Sequence, residues 1–396
     1  MSAPLDGITV VDFTRVLSGP FCTMQLADMG ARVIKIEQPG NGDDTRGWGP
    51  PFIHGESAYF LSINRNKESL TLDLKRPGAR RILDRLLSRA DVLVENFRPG
   101  AMERISLGYG QLAELYPRLV YCSISGFGQT GPRREEAGYD AVAQAEGGLM
   151  SITGPPDGPG YRLGVAVSDI VSGMFAVQGI TLALWARERT GRGQQVDIGM
   201  LDATAALLTY QAGIFFATGK TPPRMGNRHP TITPYETFEA SDGEFVIAVG
   251  NDDQWRRFCG AIGAPDLAND ERFATNRARL AHYGVLRPRL AERLLARTRT
   301  DWVATLKGVG VPCGSVREVV EVMSDPQLDA RDMIQELEHP VAGAIRLLGV
   351  PVKLSETAGS VRTAPPTLGQ HTDEILRTDV GLSETEIAAL RREGAI

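Results

Sequence analysis

Residue 169 of this 396-residue chain is an aspartate at the mouth of a long apolar run. From Ile170 to about Ala186 nearly every residue is apolar or small, among them Val171, Met174, Phe175, Val177, Ile180, Leu182 and Leu184. Arg187, Arg189 and Gly191 close the run. A helix apolar all round is expected to be buried, so Asp169 is expected where a buried helix begins. Two chemistries fit that position. Aspartate is among the best N-caps, accepting the free first-turn N–H groups. Alternatively, it is a carboxylate nucleophile, kept ionised at neutral pH by the helix N-terminus without help from a metal. On this segment alone the cap is the simpler reading.

Other candidate chemistries are weaker. Cys22, Cys122, Cys259 and Cys313 are scattered, with no CxxC pair and no nearby histidine, and read as reduced, small core residues. The five histidines are equally dispersed, so no metal site is expected. GFGQTG at 126–131 matches GxGxxG behind a strand. A dinucleotide fingerprint must open a helix whose amides meet the pyrophosphate. Here Pro132 and the charged residues 133–136 follow, and NAD or FAD binding is not expected.

The elements that must hold Asp169 alternate. Strand patterns at 7–13, 31–37, 91–97, 119–125 and 194–200 are separated by helical ones at 21–29, 77–89 and 109–116. That alternation predicts parallel βαβ units in an open, doubly wound α/β sheet. A helix is expected at 201–218 and a Pro/Gly-rich linker at 219–234. A strand is expected at 243–250, and short amphipathic helices over 252–335, broken at 311–315. An extended tail at 361–369 precedes a helix at 383–393, capped by Ser383 with Glu386 three residues on. The texture divides the chain into a large domain (1–200), a linking helix and loop (201–224), a small domain (225–330) and a return segment (331–396).

Composition agrees with an ordinary α/β enzyme: 42% hydrophobic, 23% charged and 7% aromatic. A net charge of −5 and a pI near 5.7 argue against nucleic-acid binding. No uninterrupted apolar run reaches membrane-spanning length, and the N-terminus lacks signal-peptide features. A cytoplasmic protein is expected, any transit peptide being absent or already removed.

Ordered motifs then form a set: LDGITVVD (5–12), RVLSGP (15–20), GARVIKIE (30–37), NRNK (64–67), VENFRPG (94–100), GFGQTGP (126–132), AGYD (137–140), SD (168–169), TGRGQ (190–194) and LGQHT (368–372). Together they resemble the class III CoA-transferases, a family that includes formyl-CoA transferase, carnitine CoA-transferase and α-methylacyl-CoA racemase. The resemblance implies a Rossmann-like large domain built from both chain ends, a small α+β domain between them, and an interlocked homodimer. It implies no prosthetic group, with coenzyme A entering as acyl-CoA substrate. Asp169 matches the family's acyl-accepting aspartate, which turns the balance from cap to nucleophile, although one residue can serve as both. Val16, Leu17, Leu72, Lys75, Asn96, Phe97, Arg98, Arg104, Ala137, Gly138 and Tyr139 fall in the family's CoA-contacting stretches. Lys75, Arg98 and Arg104 are suited to nucleotide phosphates. Gln38 departs from a basic residue that several members carry after the second strand.

Position 139 separates branches. Racemases carry a histidine there, and a phenol, titrating at about 10, is a poor base at neutral pH. Racemisation is the alternative that this tyrosine disfavours; a non-catalytic CoA-binding protein would not need Asp169. Leu17 replaces the glutamine of the formyl-CoA branch. DDTRGWGPP (43–51), NRNK, AGYD and RMGNRHPTITPY (224–235) resemble the branch that exchanges CoA between succinyl-CoA and glutarate. That implies dicarboxylates, and a second carboxylate needs a cation: Arg46 or His229, with Arg228 and Arg15 behind them. Trp48 and Tyr59 are expected to wall the acyl pocket.

Overall fold

The computed structural model describes residues 2–396 and is a mixed α/β structure around a six-stranded parallel sheet. Its strands are β1 (Thr9–Asp12), β2 (Arg32–Glu37), β3 (Lys67–Thr71), β4 (Val92–Glu95), β5 (Val120–Ser125) and β6 (Gln195–Gly199). They lie in the order β3-β2-β1-β4-β5-β6, all neighbours parallel. The period-2 alternation sends Val10, Val33, Val92, Val94, Val120 and Cys122 to one face. Val11, Ile34, Leu93 and Tyr121 go to the other. Each face is covered by helices. α1 (Ser18–Asp28) lies with the first set. α2 (Pro77–Leu87), α3 (Tyr109–Leu115) and the C-terminal residues Ile375, Leu376 and Ile387 lie with the second. Strand order reverses between β1 and β4, so a crevice opens beyond their carboxyl ends, the usual ligand position in such sheets.

Two compact units are present. One comprises the chain up to Leu149, Arg162–Ala217 and Pro326–Ile396; the other comprises Met150–Tyr161 and Thr218–Asp325. In the first follow α4 (Asp140–Glu146), α5 (Val167–Thr190), α6 (Met200–Ala206) and α7 (Thr209–Thr218). The second has its own antiparallel sheet, built on β7 (Tyr235–Ala240), β8 (Gly243–Ala248) and β9 (Cys313–Ser315). Helices such as α8 (Asp252–Ala261) pack there on a core centred on Trp255, Phe258 and Leu286.

Several expectations need correction. α5 is not buried all round. Ala176, Ile180, Ala183 and Leu184 pack with the sheet residues and Ser168, Ser172 and Gly173 are also buried, while Met174, Phe175, Leu182 and Trp185 are exposed. α5 is also long and apolar enough to cross a membrane by length and composition. Its packing against α1, β5 and β6 makes it a core helix of this unit. The helix expected over 201–218 is two helices bent by 75°, with Thr209 at φ 37°. Residues 313–315 form an edge strand rather than a simple helix break. β3, β7 and the hairpin Ile334–His339/Gly343–Leu348 have no counterpart in the sequence reading. Their alternation is diluted by Lys, Glu and Thr.

Candidate active site

Asp169 is the third residue of α5, not its cap. The cap position is Ala166, which supplies no side-chain hydrogen bond. The first-turn N–H of Ser168 instead donates to Asp140 Oδ1 at 2.9 Å, from the start of α4. The other oxygen, Asp140 Oδ2, accepts from the buried Gln144 amide at 2.8 Å. Gln144 Oε1 in turn accepts the Leu163 N–H at 2.9 Å. One residue pair on α4 therefore fixes the loop entering α5 and relieves Asp169 of capping.

The Ser18 hydroxyl, at the first turn of α1, lines the same cleft as the Asp169 carboxylate and draws its pKa down. α5 can lie this close to α1 because Gly173, one turn on, has no side chain: a Cβ there would stand 2.6 Å from the Ser18 carbonyl oxygen. Among the described residues Asp169 has no ion-pair partner within 4 Å. Burial and the charge of Asp140 push its pKa up to about 7, against the opposing pull of the Ser18 hydroxyl. The helix N-terminus alone would have kept Asp169 fully ionised; desolvation outweighs it. Burial, then Asp169, Asp140 and Asp43, push the Tyr59 phenol to about 12, so it stays protonated.

Asp169 lines a cleft of about 260 Å³ at the β1/β4 switch point. One wall is Arg15, Val16 and Ser18; a second is Asn96, Phe97, Arg98 and Pro99; a third is Glu136, Ala137, Gly138 and Tyr139. Asn96 ties the first two together, accepting the Arg15 N–H at 2.9 Å and donating to the Arg15 carbonyl at 2.7 Å. The third wall explains the glycines that mimic a dinucleotide motif. Gly126 and Gly138 pack backbone to backbone, since a Cβ on Gly126 would meet Gly138 Cα at 2.6 Å. Gly128 and Gly131 take positive φ in the turn, and no helix follows until α4. A second cleft, lined by Arg98, Arg104, Tyr109, Gln129 and Arg134, shares Arg98 and Pro99 with the first.

The sequence-predicted residues divide accordingly. Arg15, Val16, Asn96, Phe97, Arg98, Ala137, Gly138, Tyr139 and Asp169 share one cleft, and Arg104 lines the second. Leu17 is buried in a small apolar cluster beside Tyr59 and Ile170. Trp48 stacks edge-on against Tyr59 at 5.3 Å. Leu72 points into the core, whereas Lys75 and Gln38 are exposed and line neither cleft. Arg46 does not line the cleft either. It is held by Glu37 through two bonds of 2.7 Å, stacks 3.7 Å from the Phe60 ring centroid, and donates to the Pro366 carbonyl. His229 belongs to the second unit, packed against Tyr235. In NRNK, Arg65 and Asn66 bond Asp28 and Asn66 pins residues 360–363, so these two side chains serve the fold. Sequence reasoning missed Ser18, Asp140 and Gln144 as partners of the α5 start. Ser18 and Asp140 were signalled only by their place in the RVLSGP and AGYD motifs, and Gln144 by nothing in the sequence.

Beneath the first wall lies a fully buried charge cluster. Lys35 Nζ meets Asp43 Oδ2 at 2.8 Å and donates to the Thr14 carbonyl at 2.7 Å. Lys67 Nζ meets Asp12 Oδ2 at 3.3 Å and donates to the Pro20 carbonyl at 3.0 Å. All four charged side chains are 0% exposed. Burial pulls the Lys67 ammonium down to about 8, and it pushes Asp43 up, but Lys35 and Thr45 bring that carboxylate to about 2.

Comparison with known proteins matches residues 5–372 to the family model described as CoA-transferase family III. Succinyl-CoA:glutarate CoA-transferase of Mus musculus is 42% identical over 393 residues, covering 99% of this chain and 90% of the mouse protein. Acetyl-CoA:oxalate CoA-transferase of Acetobacter aceti is 46% identical over 353 residues, covering 89% of each. Among solved structures, a CAIB/BAIF family protein from Brucella suis is similar at 43% identity with a TM-score of 0.86. The match covers 96% of this chain and 100% of that one.

Proposed function

The chain belongs to CoA-transferase family III and is a CoA-transferase, and on that premise we propose that Asp169 carries CoA between two carboxylic acids as a covalent nucleophile. One observation carries the reading: a half-buried carboxylate lining a cleft with no ion-pair partner within 4 Å among the described residues. Folding gains nothing from such a group, because desolvating an unpaired charge is unfavourable.

The chemistry balances without a general base. The Asp169 carboxylate attacks the acyl-CoA carbonyl, forming a C–O bond as the C–S bond breaks, and CoA leaves as thiolate. The thiolate then attacks the aspartyl carbonyl of the mixed anhydride. The donor acid departs as carboxylate, and Asp169 is left as its CoA thioester. An acceptor carboxylate repeats both steps in reverse order and regenerates Asp169. No net proton is transferred, in keeping with a cleft that no histidine lines among the described residues. The same composition disfavours racemisation, which needs a base at the α-carbon. Splitting one exchange into shorter steps is the gain from covalent catalysis. The Ser18 hydroxyl and the α1 N-terminus face the charge that each step creates or consumes.

The acceptor is a small dicarboxylate, and succinyl-CoA or a similar thioester is the donor. Glutarate and oxalate, named in the two relatives, share this chemistry. Arg15 is the cation best placed to meet the second carboxylate. It lines the Asp169 cleft and is half exposed, and its nearest acid, Asp44, stands 4.0 Å away. Arg46 is withdrawn from that role by Glu37. The chain works as a homodimer, a reading supported by the family resemblance and the apolar outer face of α5. Sedimentation as a 42.9 kDa monomer would exclude it.

The substrate reading is tested by a panel of free acids against one CoA donor, read by mass spectrometry. A charge-assisted hydrogen bond to the far carboxylate contributes about 1.5–3 kcal/mol, or roughly 10- to 100-fold in kcat/KM. Succinate and glutarate should therefore exceed butyrate by that margin. Arg15→Gln should erase most of the difference while sparing butyrate. Wild-type enzyme that uses butyrate as well as succinate would rule out the distal-cation account.

A further inference from the structure

Val16, in the first wall of the cleft, has φ 68°. For a β-branched residue this left-handed backbone is a genuine outlier, and such strain persists only where the surroundings over-determine it. The Val16 N–H donates to Asp43 Oδ1 at 3.2 Å, while the other carboxylate oxygen meets Lys35. Both charges are wholly buried. Apolar residues of similar volume commonly fold as well as a buried ion pair, so this pair is better explained by the geometry it imposes than by stability. Two residues beyond Val16 stands Ser18, which lines the cleft with Asp169 and whose hydroxyl draws that carboxylate's pKa down.

We infer that Asp43, seated on Lys35, is a positioning residue for CoA transfer: it clamps Val16 in the left-handed backbone and so sets the Ser18 hydroxyl against Asp169. This rests on Asp169 being the transferring carboxylate.

The test separates the clamp from the charge and from the fold. Lys35→Met with Asp43→Asn removes both charges but keeps a carbonyl acceptor for the Val16 N–H. Lys35→Met with Asp43→Leu removes the acceptor as well. Each is measured with Val16 and with Val16→Gly, because glycine adopts positive φ without penalty. With Val16, the leucine version should lose about 10- to 100-fold in kcat, the range of direct coupling between contacting residues, with KM for acyl-CoA changed far less. The asparagine version should lose little. In the Val16→Gly background the leucine version should cost less than about 3-fold, since the glycine no longer needs the clamp. Should the leucine version not fold, Lys35→Met with Asp43→Ser, too short to span to Val16, is judged by the same rescue.

Equal losses in the asparagine and leucine versions, or no rescue by Val16→Gly, would overturn the inference. Asp169→Ala in the same assay keeps the two claims apart. If it still turns over, the underlying reading fails. If it is inactive and the rescue is absent, only the clamp fails.

Discussion

Asp169 owes its behaviour to its neighbours more than to its place on a helix. Burial and Asp140 raise its pKa to about 7, so near neutrality part of the enzyme holds the protonated, non-nucleophilic acid. Turnover per free enzyme should therefore rise with pH on an acidic limb near 7. Asp140→Asn, which keeps the acceptor for Ser168 and sheds the charge, should move that limb down by about 0.5–1 unit. A limb that stays in place would show that another group titrates; Glu95, buried and also raised to about 7, is the neighbour to examine. Stability should follow the same ionisation with a definite sign. The unfolded aspartate releases its proton near 3.8, the folded one near 7. Between those values the native state binds more protons, so its stability falls as pH rises through that window. Asp169→Asn should accordingly raise the melting temperature more at pH 8 than at pH 5. An equal gain at both pH values would contradict the raised ionisation. At this scale the sequence supplied Asp169 itself, at the head of an apolar run. It could not supply Asp140 as the acceptor that frees it, nor Glu37 as the partner that removes Arg46 from the cleft. Those pairings join residues 28 and 9 positions apart through side-chain geometry, which spacing does not encode.

The elements matter through close approach. α5 meets α1 across Gly173, and the two loops of the third wall meet across Gly126 and Gly138. Gly173→Ala would place a methyl 2.6 Å from the Ser18 carbonyl, with backbone rather than a yielding side chain in the way. Overpacking of this kind costs about 1–3 kcal/mol. It should also shift Ser18 relative to Asp169 across the cleft, lowering kcat about ten-fold or more, since small misplacements near the chemistry carry large rate penalties. Gly260→Ala in α8, where an added methyl meets nothing within 4 Å, should leave both activity and melting unharmed. Matching effects at the two positions would mean that the approach of α5 to α1 is not what sets the site. The sheet strands were legible because valine and isoleucine alternate or run unbroken in β1, β2, β4 and β5. β3, reading KESLT, hid its buried Ser69 and Leu70 among polar letters. The break between α6 and α7 was hidden because LLTY at 207–210 carries no glycine or proline to announce it.

For the molecule as a whole, the parallel sheet puts the site where its topology demands. The strand order reverses between β1 and β4, and both leading walls of the cleft, residues 15–18 and 96–99, leave the carboxyl ends of those two strands. Alternation of strand and helix in the sequence was enough to anticipate that architecture. The exposed apolar face of α5 was not, because an unbroken apolar run reads as buried whether the cover comes from the same chain or from another. The central claim is that CoA rides on Asp169 between its two acids. The most direct measurement is to incubate the enzyme with acyl-CoA, quench with hydroxylamine and map the modified residue by peptide mass spectrometry. The account predicts an aspartyl hydroxamate at position 169, absent without acyl-CoA and absent from Asp169→Ala, which should be folded and inactive. Turnover in the alanine variant, or a hydroxamate at any other residue, would contradict it.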